Sequence, residues 1–436
     1  MTLSHAHNTF NYEQYSFDEA TGIASFHYNF DGSRNFTETL QFTTIHKDCD
    51  HDVLEAAMRL SFMLIGMSYF KLFPVKKVRF LNGALDTKAA DFLNQVYPNG
   101  LSQFLFENQL SPSDLPVFEA TTHPYKPQKY AGDGVIAMQS GGKDSLLTAS
   151  LLDAQNIHYT PWYMQYGNDA YPEVLDMLSS APRTIQRQID RAALKAAKAD
   201  GGLDGHVPIT FMVMSFALID AILHNENMVL VSIGAEGEEA HEHIGELAVN
   251  HQWSKTWDAE KLFANFVYEN ISSNLFVGSP LRALSELRIV QLFSDIAWPK
   301  YSHYFSSCNL ANYQQGHARR TLTWDGTCPK CANAFLLFAP FIEPVELRSI
   351  IGGNLMAKPE LVDTFKGLLG IDGVMKPFEC IGETEELRYA YHWARTKWGS
   401  EAYQLPFVVP LSEFDYMHRG EQQAWTEHFL GINTDQ

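Results

Sequence analysis

The stretch GVIAMQSGGKDSLLTASLL, residues 134–152, decides the fold of this chain. It begins as an apolar run typical of a buried strand and ends with the pattern of a helix. Between the two lies SGGKDS, residues 140–145. Two adjacent glycines allow a backbone turn whose N–H groups all point inward, and such a turn at a helix N-terminus binds anions. The stretch therefore predicts a phosphate-binding loop between a strand and a helix.

The side chains of this loop fit the same purpose. Ser140 and Ser145 supply hydroxyl donors, and Lys143 supplies a positive charge. Asp144 is placed to hold the Mg²⁺ that accompanies a nucleotide. The loop is not a Walker A motif, because Ala137 stands where the first glycine belongs and Asp144 replaces the Ser or Thr after the lysine. An ordinary Gly-Gly turn with a helix cap is the alternative, and the position between strand and helix argues against it.

Strands and helices alternate after this loop, which indicates an α/β fold. IHYTPWYM (157–164) and MVLVSIG (228–234) have the composition of buried strands. RTIQRQIDRAALKAAKA (183–199) and SFALIDAILHN (215–225) have the pattern of helices. Alternation of this kind predicts a mostly parallel sheet covered by helices, because parallel strands need crossover connections. We expect a nucleotide-binding domain over residues 126–300.

The regions on either side follow other patterns. TGIASFHYNF (21–30) and FTETLQFTTI (36–45) predict strands joined by a turn, and residues 51–73 predict a helix. The proline-containing segment that follows residue 120 has the composition of a linker. We therefore expect an N-terminal α+β domain over residues 1–125. Residues 301–436, which contain three closely grouped cysteines, are expected to form a mostly helical C-terminal region.

Composition limits the classes of protein to which the chain can belong. Lys and Arg number 32 against 51 Asp and Glu, a formal charge of −19, which argues against a nucleic-acid partner. The N-terminus lacks the basic and apolar regions of a signal peptide, and no apolar run approaches the roughly 18 residues that span a bilayer. Five cysteines, an odd number, are not a disulfide framework. We expect a reduced, cytoplasmic enzyme without a membrane partner.

Three cysteines have a spacing that suggests metal binding. Cys328 and Cys331 form CPKC, and Cys308 lies upstream in SSCN. Three thiolates and one further ligand would make a closed tetrahedral zinc site. Three ordinary, partly buried thiols are the alternative, and a redox C-x-x-C pair is less favoured.

Several polar runs are dense in hydrogen-bonding groups. GHVPIT (205–210) and VNHQWSKTWDAE (249–260) follow predicted secondary structure, and a solvated helix start is the alternative for the second. EEAHEHIGE (238–246) resembles a metal motif, but it is not H-E-x-x-H and we expect an exposed polar loop. Cys380 lies near Lys376, Glu379 and Glu383, which makes it a candidate acid or base; a small core residue is the alternative.

The glycine-rich loop resembles the PP-loop of the ATP pyrophosphatases, enzymes that split ATP into AMP and pyrophosphate. The resemblance implies an adenine nucleotide α-hydrolase-like parallel sheet and adenylylation of a substrate oxygen. It also implies that adenine packs near Tyr163 and Met164. The residues that would cradle the pyrophosphate of ATP are Ser140, Gly141, Gly142, Lys143, Asp144 and Ser145.

The cysteines resemble the zinc site of 7-cyano-7-deazaguanine synthase and its relatives. In that pattern a further cysteine stands three residues before the C-x-x-C pair, whereas this chain has Asp325 there. Aspartate ligates zinc but is a harder ligand than cysteine. The zinc ligands that the resemblance implies are Cys308, Asp325, Cys328 and Cys331.

An ordered set of runs resembles one family more closely. GMSYFK, NGLSQFLFENQL, SGGKDS, GHVPIT, VNHQWSK, SPLRALSELRI, CPKCANAFLLFAPF and KPFECIGE extend from about residue 64 to 390. They are similar to runs of the ATP-dependent UDP-N-acetylmuramoyl-L-alanyl-L-glutamate epimerases of peptidoglycan precursor synthesis. The resemblance implies that the terminal L-glutamate is adenylylated with release of pyrophosphate. Its α-hydrogen would then be removed and returned on the opposite face, and hydrolysis would free AMP and the D-glutamate product.

The resemblance also suggests residue roles. Arg282 suits a carboxylate or phosphate because its guanidinium is bidentate. Glu236 follows a predicted strand end, where a reacting centre is expected. The candidates for substrate or nucleotide contact are His206, Asn250, His251, Ser254, Lys255, Arg282 and Glu286. The proton-transfer candidates, in order, are Cys380, His251 and Lys255.

Two other functions fit part of these observations. One is a PP-loop ligase or transferase that acts on tRNA or a deazapurine, against which the acidic charge of the chain argues. The other is a nucleotide-binding module without catalytic activity, against which the intact SGGKDS argues.

Overall fold

One large sheet contains most of the strands. The computed structural model describes residues 7–43, 49–83, 85–123, 125–167, 169–235, 237–312, 320–417 and 421–431. The strands are β1 (Thr9–Asp18), β2 (Ile23–Phe30), β3 (Arg34–Gln41), β4 (Lys77–Phe80), β5 (Val135–Met138), β6 (Thr160–Tyr166), β7 (Arg183–Ile189), β8 (Met228–Leu230), β9 (Glu242–Ile244), β10 (Leu247–Val249) and β11 (Phe276–Gly278).

Helices cover this sheet and make up much of the remainder. They are α1 (His51–Phe70), α2 (Thr87–Gly100), α3 (Ser102–Glu107), α4 (Lys143–Ala154), α5 (Arg191–Ala199), α6 (Ile209–Leu223), α7 (Trp257–Asn270), α8 (Glu286–Leu292), α9 (Trp298–Tyr301), α10 (Asn309–Asn312), α11 (Pro329–Phe338), α12 (Pro344–Ile351), α13 (Val362–Leu368), α14 (Thr384–Trp398) and α15 (Glu421–Trp425).

The large sheet joins a parallel half to a mostly antiparallel half, in which only the edge strand β4 pairs in parallel, with β1, among the described residues. Within the described residues its strand order is β11-β8-β5-β6-β7-β3-β2-β1-β4. The strands from β11 to β7 pair in parallel, as the alternation of strands and helices predicts. The meander β1–β2–β3 continues the same sheet through antiparallel pairing of β3 with β7. The fold is therefore a mixed α/β fold, and the expected α/β class is confirmed.

The strand order also locates a topological switch point. From β5 the chain continues to β6 and β7 on one side, and it then returns to β8 on the other side of β5. Connections that leave a central strand in opposite directions open a crevice at the carboxyl ends of the strands, and ligands bind there. The loop 140–145 follows directly at the carboxyl end of β5.

Helix α1 is part of the core. It is long and apolar enough, by length and composition, to cross a membrane, contrary to the expectation from the sequence. However, 78% of its most apolar stretch is buried inside the protein. Ser61 on this helix donates to Ser215 on α6 at 2.9 Å, and Tyr28 of β2 donates to its Phe62 carbonyl at 2.9 Å. A long apolar helix that is buried along most of its length in this way is a core helix.

The prediction that residues 183–199 form one helix is wrong in its first half. Arg183–Ile189 is strand β7, and α5 begins only at Arg191, after Asp190 caps it. Within the strand Ile185 and Arg187 point inward, a period of two rather than 3.6. Arg187 is buried against Glu38 of β3 at 2.6 Å, a partner that local sequence cannot reveal. The strand predictions at 21–30 and 36–45 are confirmed by β2 and β3 over the described residues.

The proposed division at residues 125 and 300 stays a prediction. The first boundary falls within a segment that connects two parts of the same sheet, since β3 and β7 are paired. One core cluster likewise combines Phe10 and Leu64 with Ile136 and Phe216. A second cluster, which includes Leu146 and Phe335, joins α4 to the helices of the C-terminal region.

Candidate functional site

A cavity of about 690 Å³ lies at the switch point. Its walls come from the end of β5, the loop that follows, strand β6 and the residues after β8. This is the position and size expected of a ligand-binding crevice in an α/β protein. The residues from these segments that line it are Met138, Gln139, Ser140, Gly142, Asp144, Ser145, Trp162, Tyr163, Met164, Tyr166, Val231, Ser232 and Ile233.

The backbone of the loop requires glycine at position 141. Gly141 has a φ of +78°, a conformation that L side chains rarely adopt. A Cβ atom at this position would lie 2.6 Å from Leu322 Cδ1 and 3.1 Å from Val174 Cγ1. Gly142 is the N-cap of α4, and no described side chain caps this first turn. The N-terminus of α4 therefore faces the loop without a side-chain cap, which is where an anion binds to a helix.

Two serine hydroxyls meet inside the loop. Ser140 Oγ lies 3.4 Å from Ser145 Oγ and accepts from the Gly142 N–H at 3.4 Å. Ser145 also donates to the Gly142 carbonyl at 3.2 Å. The loop thus folds around its own hydroxyls, and these are the donors that the sequence predicts for phosphate binding.

The charge of Lys143 is shared between two carboxylates. Its ammonium lies 2.7 Å from Asp144 Oδ1 and 3.1 Å from Glu286 Oε1. Glu286 begins α8 and is 4% exposed. Glu386 accepts from the Leu287 N–H of the same helix at 2.6 Å, and burial together with the charge of Glu286 raises the pKa of Glu386 to about 8. Lys143 is therefore neutralised within the protein before any ligand binds.

A second cavity of about 60 Å³ adjoins the first. Cys380, Glu286, Asn333 and other side chains line it. That volume accommodates roughly two water molecules or a carboxyl group. The residues that line both cavities, and so form their junction, are Asp144, Lys255, Ser307 and Lys330. The fold thus brings together Cys380 and Lys255, two of the three residues predicted to transfer protons.

The loop that carries Cys380 is fastened on both sides. Gln252 Nε2 donates to the Glu379 carbonyl at 3.1 Å. The Gly382 N–H donates to Asn333 Oδ1 at 3.0 Å. Bonds on either side of Cys380 hold its backbone beside the smaller cavity, which is the kind of support that an acid or base needs.

Three histidines form a cluster beside these cavities. The His251 ring lies 4.5 Å from that of His206 and 6.5 Å from that of His241. Burial lowers the pKa of His206 to about 3 and the pKa values of His241 and His251 to about 4. His251 Nδ1 is 2.6 Å from Gln103 Oε1. Among the described residues that line the two cavities, none is one of these histidines, so His251 does not share a cavity with Cys380 and Lys255.

The expectation of an exposed polar loop at residues 238–246 is wrong. Residues Glu242–Ile244 form β9, which pairs with β10. His241 is half-buried and stacks on Phe378 with ring centroids 5.1 Å apart. Lys376 and Glu239 form an ion pair at 2.6 Å in the same region. The alternation needed to predict β9 is only three residues long, too short to distinguish from a loop.

Arg282 is enclosed by protein. It is 0% exposed, and its Nε and Nη2 donate to Glu260 Oε2 at 2.9 and 2.6 Å. Its Nη1 donates to the carbonyls of Gly234 at 2.8 Å and Lys255 at 3.0 Å. The guanidinium therefore holds the backbone of Lys255 beside the cavity. The Arg282 side chain itself is not exposed to solvent.

The other predicted residues have varied positions. Asn250 donates to the Gly237 carbonyl and accepts from the Gln252 N–H at 2.8 Å, so it organises its own loop. Ser254 is buried in a short 3₁₀ turn. Glu236 lies outside the described residues. Gln139, which no sequence motif marks, lines the large cavity and is 6% exposed, and its amide has no hydrogen-bond partner within the described part of the chain.

The cysteine cluster is assembled as the sequence predicts. One ligand atom from each of Cys308, Asp325, Cys328 and Cys331 lies within 4.8 Å of the others. The sulfur of Cys328 is 3.6 Å from that of Cys308 and 3.5 Å from that of Cys331. Tetrahedral zinc with bonds of about 2.3 Å places its thiolates roughly 3.8 Å apart.

The donor atoms also suit a metal ion. Hydrogen bonds among the thiols lower the pKa of Cys308 and raise the pKa of Cys331, so a cation would be needed for all of the thiols to ionise together. Asp325 Oδ1 lies 3.2 Å from Cys331 Sγ, while its Oδ2 is buried and has no hydrogen-bond partner among the described residues. Burying a carboxylate oxygen without a hydrogen-bond donor costs free energy unless a cation binds to it. The cluster is compatible with a structural zinc ion.

Comparison with known proteins identifies the family. The model of the MurL N-terminal domain matches residues 1–277, and that of the MurL C-terminal domain matches residues 304–412. A protein of Micromonospora sp. is 31% identical over 390 residues, 87% of this chain and 85% of its own length. One from Salinispora tropica is 30% identical over 392 residues (87% and 83%), and one from Xanthomonas oryzae pv. oryzae is 28% identical over 411 residues (93% and 90%).

All three relatives are named UDP-N-acetyl-α-D-muramoyl-L-alanyl-L-glutamate epimerase. Both domain models and the length of these matches confirm the resemblance predicted from the ordered runs. The chain belongs to the MurL family.

Proposed function

We propose that this chain converts the terminal L-glutamate of UDP-N-acetylmuramoyl-L-alanyl-L-glutamate to D-glutamate through a carboxyl adenylate. The names of its relatives support the substrate and the epimerisation. The observation that carries the mechanism is the junction of two cavities. Residues of the SGGKDS loop line the larger cavity, and Cys380 lines the smaller one. The residues that line both cavities are Asp144, Lys255, Ser307 and Lys330.

ATP would occupy the larger cavity, with its phosphates on the loop 140–145 in the manner of a PP-loop. The volume of about 690 Å³ suits a nucleotide, and Tyr163 and Met164 line it as expected for an adenine site. The loop offers a helix N-terminus without a side-chain cap and two hydroxyls. Asp144 would hold Mg²⁺, which supplies charge neutralisation to the phosphates when bound.

Activation by ATP solves a problem of acidity. The α-hydrogen of a carboxylate is very weakly acidic, because its loss would create a dianion. Attack of the carboxylate oxygen on the α-phosphorus releases pyrophosphate and leaves a mixed anhydride, whose carbonyl accepts enolate charge. Water then cleaves the anhydride to AMP and the free carboxylate after the α-proton has been exchanged between faces.

Epimerisation needs two groups, one to remove the proton and one to return it from the opposite face. Cys380 and Lys255 line the same small cavity, and we assign this pair to the two roles. Each positioned acid or base contributes roughly 10²–10⁴-fold. The hydrogen bond of the half-buried His251 with Gln103 makes it a support for the adjacent segment 250–255 instead.

The remaining candidates receive supporting roles. Arg282 positions Lys255 through its carbonyl and neutralises Glu260. Glu286 orients Lys143. Cys308, Asp325, Cys328 and Cys331 would hold a structural Zn²⁺, which stabilises the fold around α11 when bound. Five unpaired thiols suit a reducing compartment, and we place the protein in the cytoplasm.

The experiment is incubation of the protein with ATP and UDP-N-acetylmuramoyl-L-alanyl-L-glutamate, followed by hydrolysis and chiral analysis of glutamate. With the protein, ATP and the substrate together, we expect D-glutamate, AMP and pyrophosphate. Without ATP we expect none of these products. Pyrophosphate release without inversion of glutamate would instead favour a PP-loop ligase or transferase that acts on another substrate.

A further inference from the structure

Lys330 is a cation at the junction of the two cavities, and the proposed reaction assigns no role to it. It lies in the first turn of α11, between Cys328 and Cys331. Its side chain lines both the large and the small cavity. In the sequence, CPKC stands out for its cysteines, and nothing in the pattern marks the lysine between them.

Among the described residues, no carboxylate forms an ion pair with Lys330. The ammonium of Lys143 is already bound by Asp144 and Glu286, at 2.7 and 3.1 Å. For Lys330, no hydrogen bond or ion pair is formed with any described residue, although it is half-buried. Removing part of the water around an ammonium costs free energy, and a negative group in contact with the ammonium offsets that cost. The missing partner is therefore expected to be a ligand.

The proposed reaction supplies two anions at this point. A carboxylate and the α-phosphate of ATP must approach to bonding distance, and like charges repel across so short a gap. The junction is where the cavity of the loop meets the cavity of Cys380. A cation there would offset the repulsion and stabilise the charge that develops on the phosphate oxygens.

We propose that Lys330 binds the α-phosphate of ATP at the junction and that the cysteine cluster holds it there. This inference rests on the proposed function. Cys328 is the N-cap of α11, and Asp325 Oδ1 accepts from the Cys328 N–H at 3.0 Å. The segment before Cys308 also reaches the cavity, through Ser306 and Ser307. Both segments that meet in the cluster thus contribute to the nucleotide cavity, and the cluster fixes their spacing.

The test compares three full-length variants with the wild type. Lys330→Gln removes the charge and keeps a similar length, and Lys330→Arg keeps the charge. Lys300→Gln is the matched control, because Lys300 is exposed on α9 and lines neither cavity. The measurements are ATP–pyrophosphate exchange with the muramoyl dipeptide, and calorimetric binding of ATP, AMP and inorganic pyrophosphate.

For Lys330→Gln we expect about tenfold to hundredfold weaker binding of ATP and AMP, the usual effect of losing a charge-assisted hydrogen bond. Exchange should fall by at least as much, and pyrophosphate binding should stay within about twofold of wild type. Lys330→Arg should recover part of the loss, and Lys300→Gln should match the wild type.

Two results would overturn the inference alone: wild-type exchange by Lys330→Gln, or a loss of pyrophosphate binding with AMP binding intact. A wild-type protein without any exchange would instead overturn the proposed function and this inference with it.

A measurement on the wild-type protein covers the case in which Lys330→Gln does not fold. ATP with Mg²⁺ should protect Lys330 severalfold from an amine-acetylating reagent, as measured by mass spectrometry, and should leave Lys300 unprotected. Equal acetylation of Lys330 with and without ATP would contradict a contact with phosphate.

Discussion

Gly141→Ala tests whether the loop must have the conformation that the structure assigns to it. An alanine at a φ of +78° costs about 1–2 kcal/mol in backbone strain. Its Cβ would also lie 2.6 Å from Leu322 Cδ1 and 3.1 Å from Val174 Cγ1. Both neighbours are buried and have little room to move, so we add about 1–3 kcal/mol for overpacking.

Gly373→Ala is the control for backbone strain alone. Gly373 has a φ of +68°, and apart from its chain neighbours no described residue has an atom within 4 Å of the position that a Cβ would take there, so only the strain of about 1–2 kcal/mol applies. Denaturant unfolding should therefore show Gly141→Ala as the less stable variant by the overpacking amount.

Activity should separate the two variants more strongly than stability. A shift of the loop by about 1 Å misplaces the phosphate donors, and displacements of that size cost roughly 10²-fold in rate. ATP-dependent pyrophosphate release should fall by that order for Gly141→Ala and stay near wild type for Gly373→Ala. Equal stability and equal pyrophosphate release in the two variants would refute the assigned loop geometry.

Three further outcomes are expected. Asp144→Asn should lose most pyrophosphate release with little change in melting temperature, because this side chain faces the cavity and not the core; near wild-type release would remove its assignment to Mg²⁺. Freshly purified protein should contain about one zinc per chain, which Cys308→Ser should lose and Cys49→Ser should retain. A chelator should lower the melting temperature, because the binding energy of a structural metal contributes to folding. Metal analysis that finds no zinc would show that the four residues only pack against one another. Burial lowers the pKa of His206 to about 3 and that of His251 to about 4, so below the ordinary pKa of about 6.5 the unfolded state binds protons more readily than the folded state. The free energy of unfolding should therefore decline as the pH falls from about 6.5 toward about 4. Urea unfolding across that range should show a shallower decline for His251→Gln, and an unchanged slope would contradict a neutral His251 in the folded protein.

Local sequence was sufficient for the features that depend on neighbouring residues. The apolar run before residue 140 and the helix after it are adjacent in the chain, and two glycines report the turn directly. Cys328 and Cys331 are one helical turn apart, so their proximity also follows from spacing. For these features the pattern of a short segment contains the physical cause.

Features that depend on distant partners could not be predicted in the same way. Arg187 is buried in a strand because Glu38, 149 residues away, pairs with it. From the sequence alone, a charged residue in a run with a helical pattern is expected to lie on an exposed helix face. Arg282 is suited to a ligand by its chemistry, yet its acceptors are Glu260 and backbone carbonyls. The role inferred for Lys330 required two cavities to be seen meeting, which no sequence pattern encodes.

The most direct test of the proposed mechanism is the reaction in heavy water with ATP and UDP-N-acetylmuramoyl-L-alanyl-L-glutamate, with glutamate resolved by configuration and its α-deuterium measured. The D-glutamate formed should carry α-deuterium, and omission of ATP should abolish both inversion and labelling. Cys380→Ser should still release pyrophosphate but lose most inversion, because a hydroxyl is a far weaker acid than a thiol. D-glutamate that contains no solvent deuterium would contradict inversion by deprotonation.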